Sequence, residues 1–153
     1  MSRCRELMTT HPVSCSPTDT VRSAAQLMKR EDVGFLPVVN DQQHRKVIGI
    51  ITDRDLVLNI IAEARHADMT TIADIMTAKP VTCRADDDLE QALSAMAQHQ
   101  IRRVPIVDES EQIVGIIAQA DIALRIEDPT AAAEVLRKIS KPTPVRPSMA
   151  IAQ

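Results

Sequence analysis

Two eight-residue stretches carry the side chains best spaced for chemistry. Gly49 to Leu56 reads GIITDRDL, and Gly115 to Ile122 reads GIIAQADI. The glycine, the two isoleucines and the aspartates Asp55 and Asp121 stay in frame, whereas Thr52, Asp53 and Arg54 give way to Ala118, Gln119 and Ala120. An aspartate three residues after a hydroxyl, at the start of a helix, has two uses. It can serve the helix, whose positive end favours an acid. It can also offer a carboxylate to the hydroxyl groups of a ligand in charge-assisted hydrogen bonds. Thr52 carries the same alternatives, as a helix cap or as a donor to an anion.

Other residues fit a reaction less well. Asp53 and Asp55 could act as paired carboxylates with a histidine base. But His11, His44, His66 and His99 fall in different segments, and none has a serine or cysteine partner at a telling spacing. Catalysis is therefore not expected. Cys15 and Cys83 hold equivalent places in PVSC and PVTC, with His11 near the first. Such symmetry could bring the two thiols together, and a thiol or metal stress sensor stays open as an alternative. A lone cysteine in such a segment is more often a small buried hydrophobe, and zinc needs four convergent ligands. No metal ligand is assigned. The chain has three glycines, too few for a P-loop or a dinucleotide loop. It has no Trp or Tyr and one Phe, so a bound base must be held by aliphatic side chains.

The elements that must position these residues occur twice. ELMTTHPVSC (Glu6 to Cys15) matches DIMTAKPVTC (Asp74 to Cys83) at an offset of 68 residues, as Phe35 to Asn40 matches Arg103 to Asp108. After a loop two residues shorter in the second copy, Gly49 matches Gly115. This is an internal duplication. Val21, Ala24, Ala25 and Met28 share one helical face, as do Leu89, Ala92, Leu93 and Met96, the second helix led by an Asp88–Gln91 capping box. FLPVV and RVPIV, each interrupted by proline, read as short strands. A polar turn, the strand VIGII or IVGII, and a second helix starting near Asp53 or Gln119 complete each copy. The fold class is α/β, with the order β-α-β-β-α in residues 1–63 and again in 72–126, joined by a linker at 64–71. Residues 127–153 follow as a short helix (TAAAEVLRKI) and a proline-containing tail. One half would bury too little apolar surface alone, so the halves should pack about a pseudo-twofold axis.

Composition narrows the class further. A net charge of −3, with 44% hydrophobic and 25% charged residues, describes an ordinary globular chain and argues against a general nucleic-acid binder. There is no long apolar run and no signal-peptide pattern, so no membrane association and a cytoplasmic location are expected. Three cysteines, an odd number, do not make a disulfide framework.

With both motifs preceded by their proline-interrupted strands, residues 4–125 resemble a tandem pair of CBS domains, the Bateman module. More narrowly, they resemble small bacterial proteins that consist of such a pair and little else. The resemblance implies a non-catalytic regulatory sensor that binds an adenosine-containing ligand and pairs into a disc-like homodimer through its helices. AMP, ADP or ATP is the expected ligand, with S-adenosylmethionine and NAD behind them; no cofactor is required. By the same resemblance Asp55 and Asp121 stand at ribose positions, each cleft being completed by the other repeat. The main site then comprises Ile50, Thr52, Arg54, Asp55, Lys79, Pro80, Val81, Ile101, Arg102 and Arg103. A weaker second site comprises His11, Pro12, Val13, Val33, Gly34, Phe35, Ile116 and Asp121. Two arginines against a glycine and a phenylalanine favour the first for a phosphorylated ligand, although Arg102 also suits a solvated strand face. The rival is a protein-interaction module with vestigial clefts, in which Met69, Met76 and Met149 supply adaptable contacts. A downstream protein, still unknown, is implied by either reading.

Overall fold

The computed structural model describes residues 2–141. Its elements, in order, are α1 (Cys4–Leu7), β1 (Thr9–Thr10), α2 (Val21–Glu31), β2 (Phe35–Val39), β3 (Val47–Thr52), α3 (Asp53–Leu56), α4 (Ile72–Ile75), β4 (Thr77–Ala78), β5 (Cys83–Arg84), α5 (Leu89–His99), β6 (Arg103–Val107), β7 (Ile113–Ala118), α6 (Gln119–Arg125) and α7 (Pro129–Ile139). A π-helical turn, Val57–Ile61, continues directly from α3. The fold is mixed α/β, with two small sheets flanked by helices. The proline-containing tail and Met149 lie outside the described residues.

The sheets are ordered β2-β3-β4 and β1-β7-β6-β5. Thus the first strand of each repeat joins the sheet of the other. Thr9 and Thr10 lie opposite Ile116 and Gly115, while Thr77 and Ala78 lie opposite Ile50 and Gly49. The single turns before these strands are exchanged too. Cys4 and Arg5 N–H donate to the carbonyls of Asp87 and Ala85, and Ile72 and Ala73 N–H donate to those of Asp19 and Pro17. Isolated bridges repeat the reciprocity, Arg3 with Asp88 and Thr20 with Thr71. Lys46 bridges Gln112, its own counterpart, so the polar turns meet on the pseudo-twofold axis.

The cores follow the exchange. Cys15, Val21, Ala24, Met28, Leu36, Val38 and Ile51 form one, and it also takes Ile72 from the second repeat. Ala92, Met96, Val104, Ile106, Ile117 and Ile122 form the other, completed by Cys4 and Leu7 from the first repeat. α7 adds Ala132 and Ile139 to this second core. Each fully buried aliphatic side chain contributes about 1.5–3 kcal/mol, so neither repeat retains its core alone. The stretch 64–71 is also docked: Val21 N–H donates to the Thr70 carbonyl and Arg22 N–H to that of Ala67.

The exchange also explains the repeated glycine. A Cβ on Gly49 would approach Met76 Sδ at 2.7 Å and Thr77 O at 3.0 Å. One on Gly115 would approach Met8 Cγ at 2.7 Å and Met8 Cβ at 3.0 Å. A methionine of the exchanged segment crosses each glycine, and a side chain there would push it off the sheet.

Candidate functional site

Each motif sits where a strand turns into a helix. Thr52 ends β3 and caps α3: its Oγ1 accepts the Asp55 N–H at 3.2 Å, and Asp55 Oδ2 accepts the Thr52 N–H at 2.9 Å. This reciprocal box uses one carboxylate oxygen and leaves the Thr52 hydroxyl proton and Asp55 Oδ1 without a partner among the described residues. Thr52 and Asp55 are both half-buried. In the second motif Ala118 supplies no hydroxyl, and its N–H donates to Asp121 Oδ2 at 2.7 Å. Asp121 is buried, and its Oδ1 accepts the Thr9 hydroxyl at 3.1 Å.

Around Asp55, β4 pairs with β3 at Ile50, and Lys79 N–H donates to the Ile48 carbonyl at 3.3 Å, which sets Lys79, Pro80 and Val81 along the same edge. Lys79 is exposed, while Ile50, Pro80 and Val81 are half-buried. Arg54 is exposed on α3. The strand neighbour of Thr52 is Phe35, and that of Ala118 is Arg103. These two equivalent residues meet across the axis, the Arg103 guanidinium 5.8 Å from the centre of the Phe35 ring. The contact sets a cation of the second repeat on the ring of Phe35, the ladder partner of Thr52, while Arg103 itself pairs with Ala118 of the second motif. Ile101 is half-buried and Arg102 exposed, both just before β6. A cleft of about 410 Å³ is lined by Arg102, Arg103, Ala118, Gln119 and Leu136.

Around Asp121, β1 pairs with β7, Ile116 lying opposite Thr9. His11 is exposed, Pro12 and Val13 are half-buried, and the Pro12 carbonyl accepts from Arg45 Nη2 at 2.7 Å. Val33 is exposed and Phe35 buried. Gly34 belongs beside the first motif in the ladder, where its carbonyl accepts the Asp53 N–H at 2.9 Å. A larger groove, about 990 Å³, lies elsewhere, between α1, α5 and α7, with Leu7, Leu93 and Val135 in its wall. None of the expected site residues lines it.

The thiols do not converge as symmetry allowed. Cys15 lies in the first core, and Cys83 lies in the second with Cys4, because exchange of the N-terminal turn keeps the two cores separate. All three are free and buried. Burial foremost pushes Cys4 and Cys15 up to about 12 and Cys83 up to about 11. Thiols held neutral in this way are poor nucleophiles and poor metal ligands. No group of three or more metal-binding side chains occurs among the described residues, and no helix there is long and apolar enough to cross a membrane.

The CBS domain family profile matches residues 4–62 and 72–128. The chain belongs to the CBS-domain family. It is 39% identical over 140 residues to the CBS domain-containing protein YhcV of Bacillus subtilis, covering 92% of this chain and 96% of that one. The CBS domain pair of MJ0100, solved with 5-methylthioadenosine and S-adenosyl-L-methionine, superposes with a TM-score of 0.71 at 27% identity, covering 81% of this chain and 94% of that one. CBSX2 from Arabidopsis thaliana, solved with AMP, gives 0.69 at 25% identity, covering 84% and 100%. Related CBS pairs thus hold adenosine-containing ligands, and the CBS pair itself is not a catalytic unit.

Proposed function

We propose that this CBS pair is a regulatory sensor for an adenine nucleotide of the AMP, ADP or ATP type, bound in the cleft at Asp55. The observation that carries the reading is the Thr52–Asp55 box, which leaves a hydroxyl proton and a carboxylate oxygen unpartnered among the described residues. Asp55 accepts from the ribose hydroxyls, and Thr52, Arg103 and Arg54 meet the phosphate. Adenine lies among Ile50, Val81 and Ile101, aliphatic walls suited to a chain without Trp or Tyr. Lys79, Pro80 and Arg102 complete the rim. The second cleft, at His11, Pro12, Val13, Val33, Gly34, Phe35, Ile116 and Asp121, is the weaker one, since Ala118 cannot donate where Thr52 can. Adenosine ligands in MJ0100 and CBSX2 support the ligand class.

The same reading gives a cytoplasmic homodimer that signals to a separate protein. Val57, Leu58 and Ile61 after α3, together with Leu124 on α6, are exposed apolar residues on the helices expected to pair. They equally favour the second reading, an interaction module that needs no ligand. Isothermal calorimetry against AMP, ADP, ATP, S-adenosylmethionine and NAD separates the two. Micromolar binding of one of them, weakened in Asp55→Ala, supports the sensor; a folded protein that binds none supports the interaction module.

A further inference from the structure

The two aspartates of the repeated motif share a frame but not their surroundings. Each accepts the N–H of the residue three places before it, so the difference lies at Oδ1. Asp55 Oδ1 has no bonded partner among the described residues. Asp121 Oδ1 accepts the Thr9 hydroxyl at 3.1 Å and lies 3.7 Å from Arg125 Nε. Arg125 extends the contact further, since its Nη1 donates to the carbonyls of Leu7 at 2.7 Å and Met8 at 3.0 Å. One guanidinium therefore ties Asp121 to the turn between α1 and β1, the segment that edges β7.

The first repeat has no such tie. Four residues after Asp55 stands Asn59, inside the π-helical turn, where the second repeat has Arg125 in a regular helix. Thr77, the counterpart of Thr9, makes no hydrogen bond to Asp55 among the described residues. We propose that Arg125, acting with Thr9, is the specificity-determining residue that closes the second cleft, so that the chain takes one adenosine ligand and takes it at Asp55. This inference rests on the ligand reading above. A ribose entering at Asp121 must displace a hydroxyl bond and a neighbouring guanidinium from a side chain only 11% exposed. The bonds it forms replace the Thr9 bond it breaks and the Arg125 ion pair it displaces, and the Thr9 hydroxyl loses its partner. At Asp55 the same ribose finds an oxygen already free.

The test is calorimetry with AMP on wild type, Arg125→Asn, which copies the residue of the first repeat, and Thr9→Val. Thr9→Val leaves the arginine bonds to the backbone intact and serves as the second route should Arg125→Asn fail to fold by circular dichroism. The expected result is one AMP per chain in wild type and two in the opened variants, the added site lost with Asp121→Ala but not with Asp55→Ala. Two sites in wild type, or one site at Asp55 in every variant, would overturn the closure while leaving the ligand reading intact. No site in wild type but one in Arg125→Asn, sensitive to Asp121, would support the closure and refute the assignment to Asp55. No binding by any of them overturns the ligand reading. The closure is then judged without ligand, by an Arg125–Asp121 double-mutant cycle in urea. A coupling of about twofold in the unfolding constant supports the tie, and no coupling overturns it.

Discussion

Gly115→Ala should destabilise the protein through the exchanged segment rather than through the strand that carries it. The glycine lies opposite Thr10 in the ladder, and an added Cβ would come within 2.7 Å of Met8 Cγ and 3.0 Å of Met8 Cβ, closer still to Sδ. Sδ and Cγ can swing aside, but Met8 Cβ moves only with the backbone between α1 and β1. Overpacking of this kind costs about 1–3 kcal/mol. Gly49→Ala should cost less, because its methionine contacts are looser, with Met76 Sδ at 2.7 Å and Cγ at 3.2 Å, although Thr77 O stands at 3.0 Å. In a chain of this length 2 kcal/mol lowers Tm by roughly 4–8 °C. Far-UV circular dichroism is the assay, since a chain without Trp or Tyr has almost no intrinsic fluorescence. Measured in a Met8→Gly background, which removes Cβ together with Sδ and Cγ, the Gly115→Ala penalty should fall to less than half. An unchanged Tm in the single variant, or an equal penalty in both backgrounds, would refute the argument that the exchanged methionine selects the glycine.

Asp55→Ala should weaken nucleotide binding about 10- to 150-fold, the value of a charge-assisted contact of about 1.5–3 kcal/mol, and Asp121→Ala much less; equal losses in calorimetry would contradict the asymmetry. Ile61→Glu and Leu124→Glu, both at highly exposed apolar positions, should convert a dimer to a monomer in light scattering, whereas a wild type already monomeric would remove the proposed helix-mediated pairing. The thiols, raised from an ordinary 9.0 to about 11 or 12 by burial, should resist a thiol reagent at pH 8 until urea is added. Their contribution to stability is complete below pH 9 and lost between there and about pH 11 to 12, because the unfolded chain ionises first. The urea midpoint should therefore fall between pH 8.5 and 10.5, and less steeply in Cys15→Ala; an equal slope would contradict this.

Much of the fold could be read from the chain because the duplication doubles every signal. The GIITDRDL and GIIAQADI frame marked the strand-to-helix turns, and the spacings of Val21, Ala24 and Met28 and of Leu89, Ala92 and Met96 marked α2 and α5. What escaped was what a single turn cannot announce. α1 and α4 have four residues each, too short for any periodicity, yet they decide that the cores are exchanged. That exchange keeps Cys15 and Cys83 in separate cores, although their matching positions suggested that they could meet. Arg125 escaped for a different reason. Comparison of the copies draws attention to what they share, and Arg125 matters because Asn59 stands in its place. The π-helical turn after α3 escaped as well, since Val57 to Ile61 offers the same apolar run whether the turn is α or π.

The most direct test of the central claim is isoleucine-methyl NMR during a titration with AMP. The adenine ring current should shift Ile50 and Ile101 while Ile116 stays in place, and Asp55→Ala should remove the shifts at the same AMP concentration. Shifts led by Ile116, or none at all at millimolar AMP, would contradict a nucleotide site at Asp55.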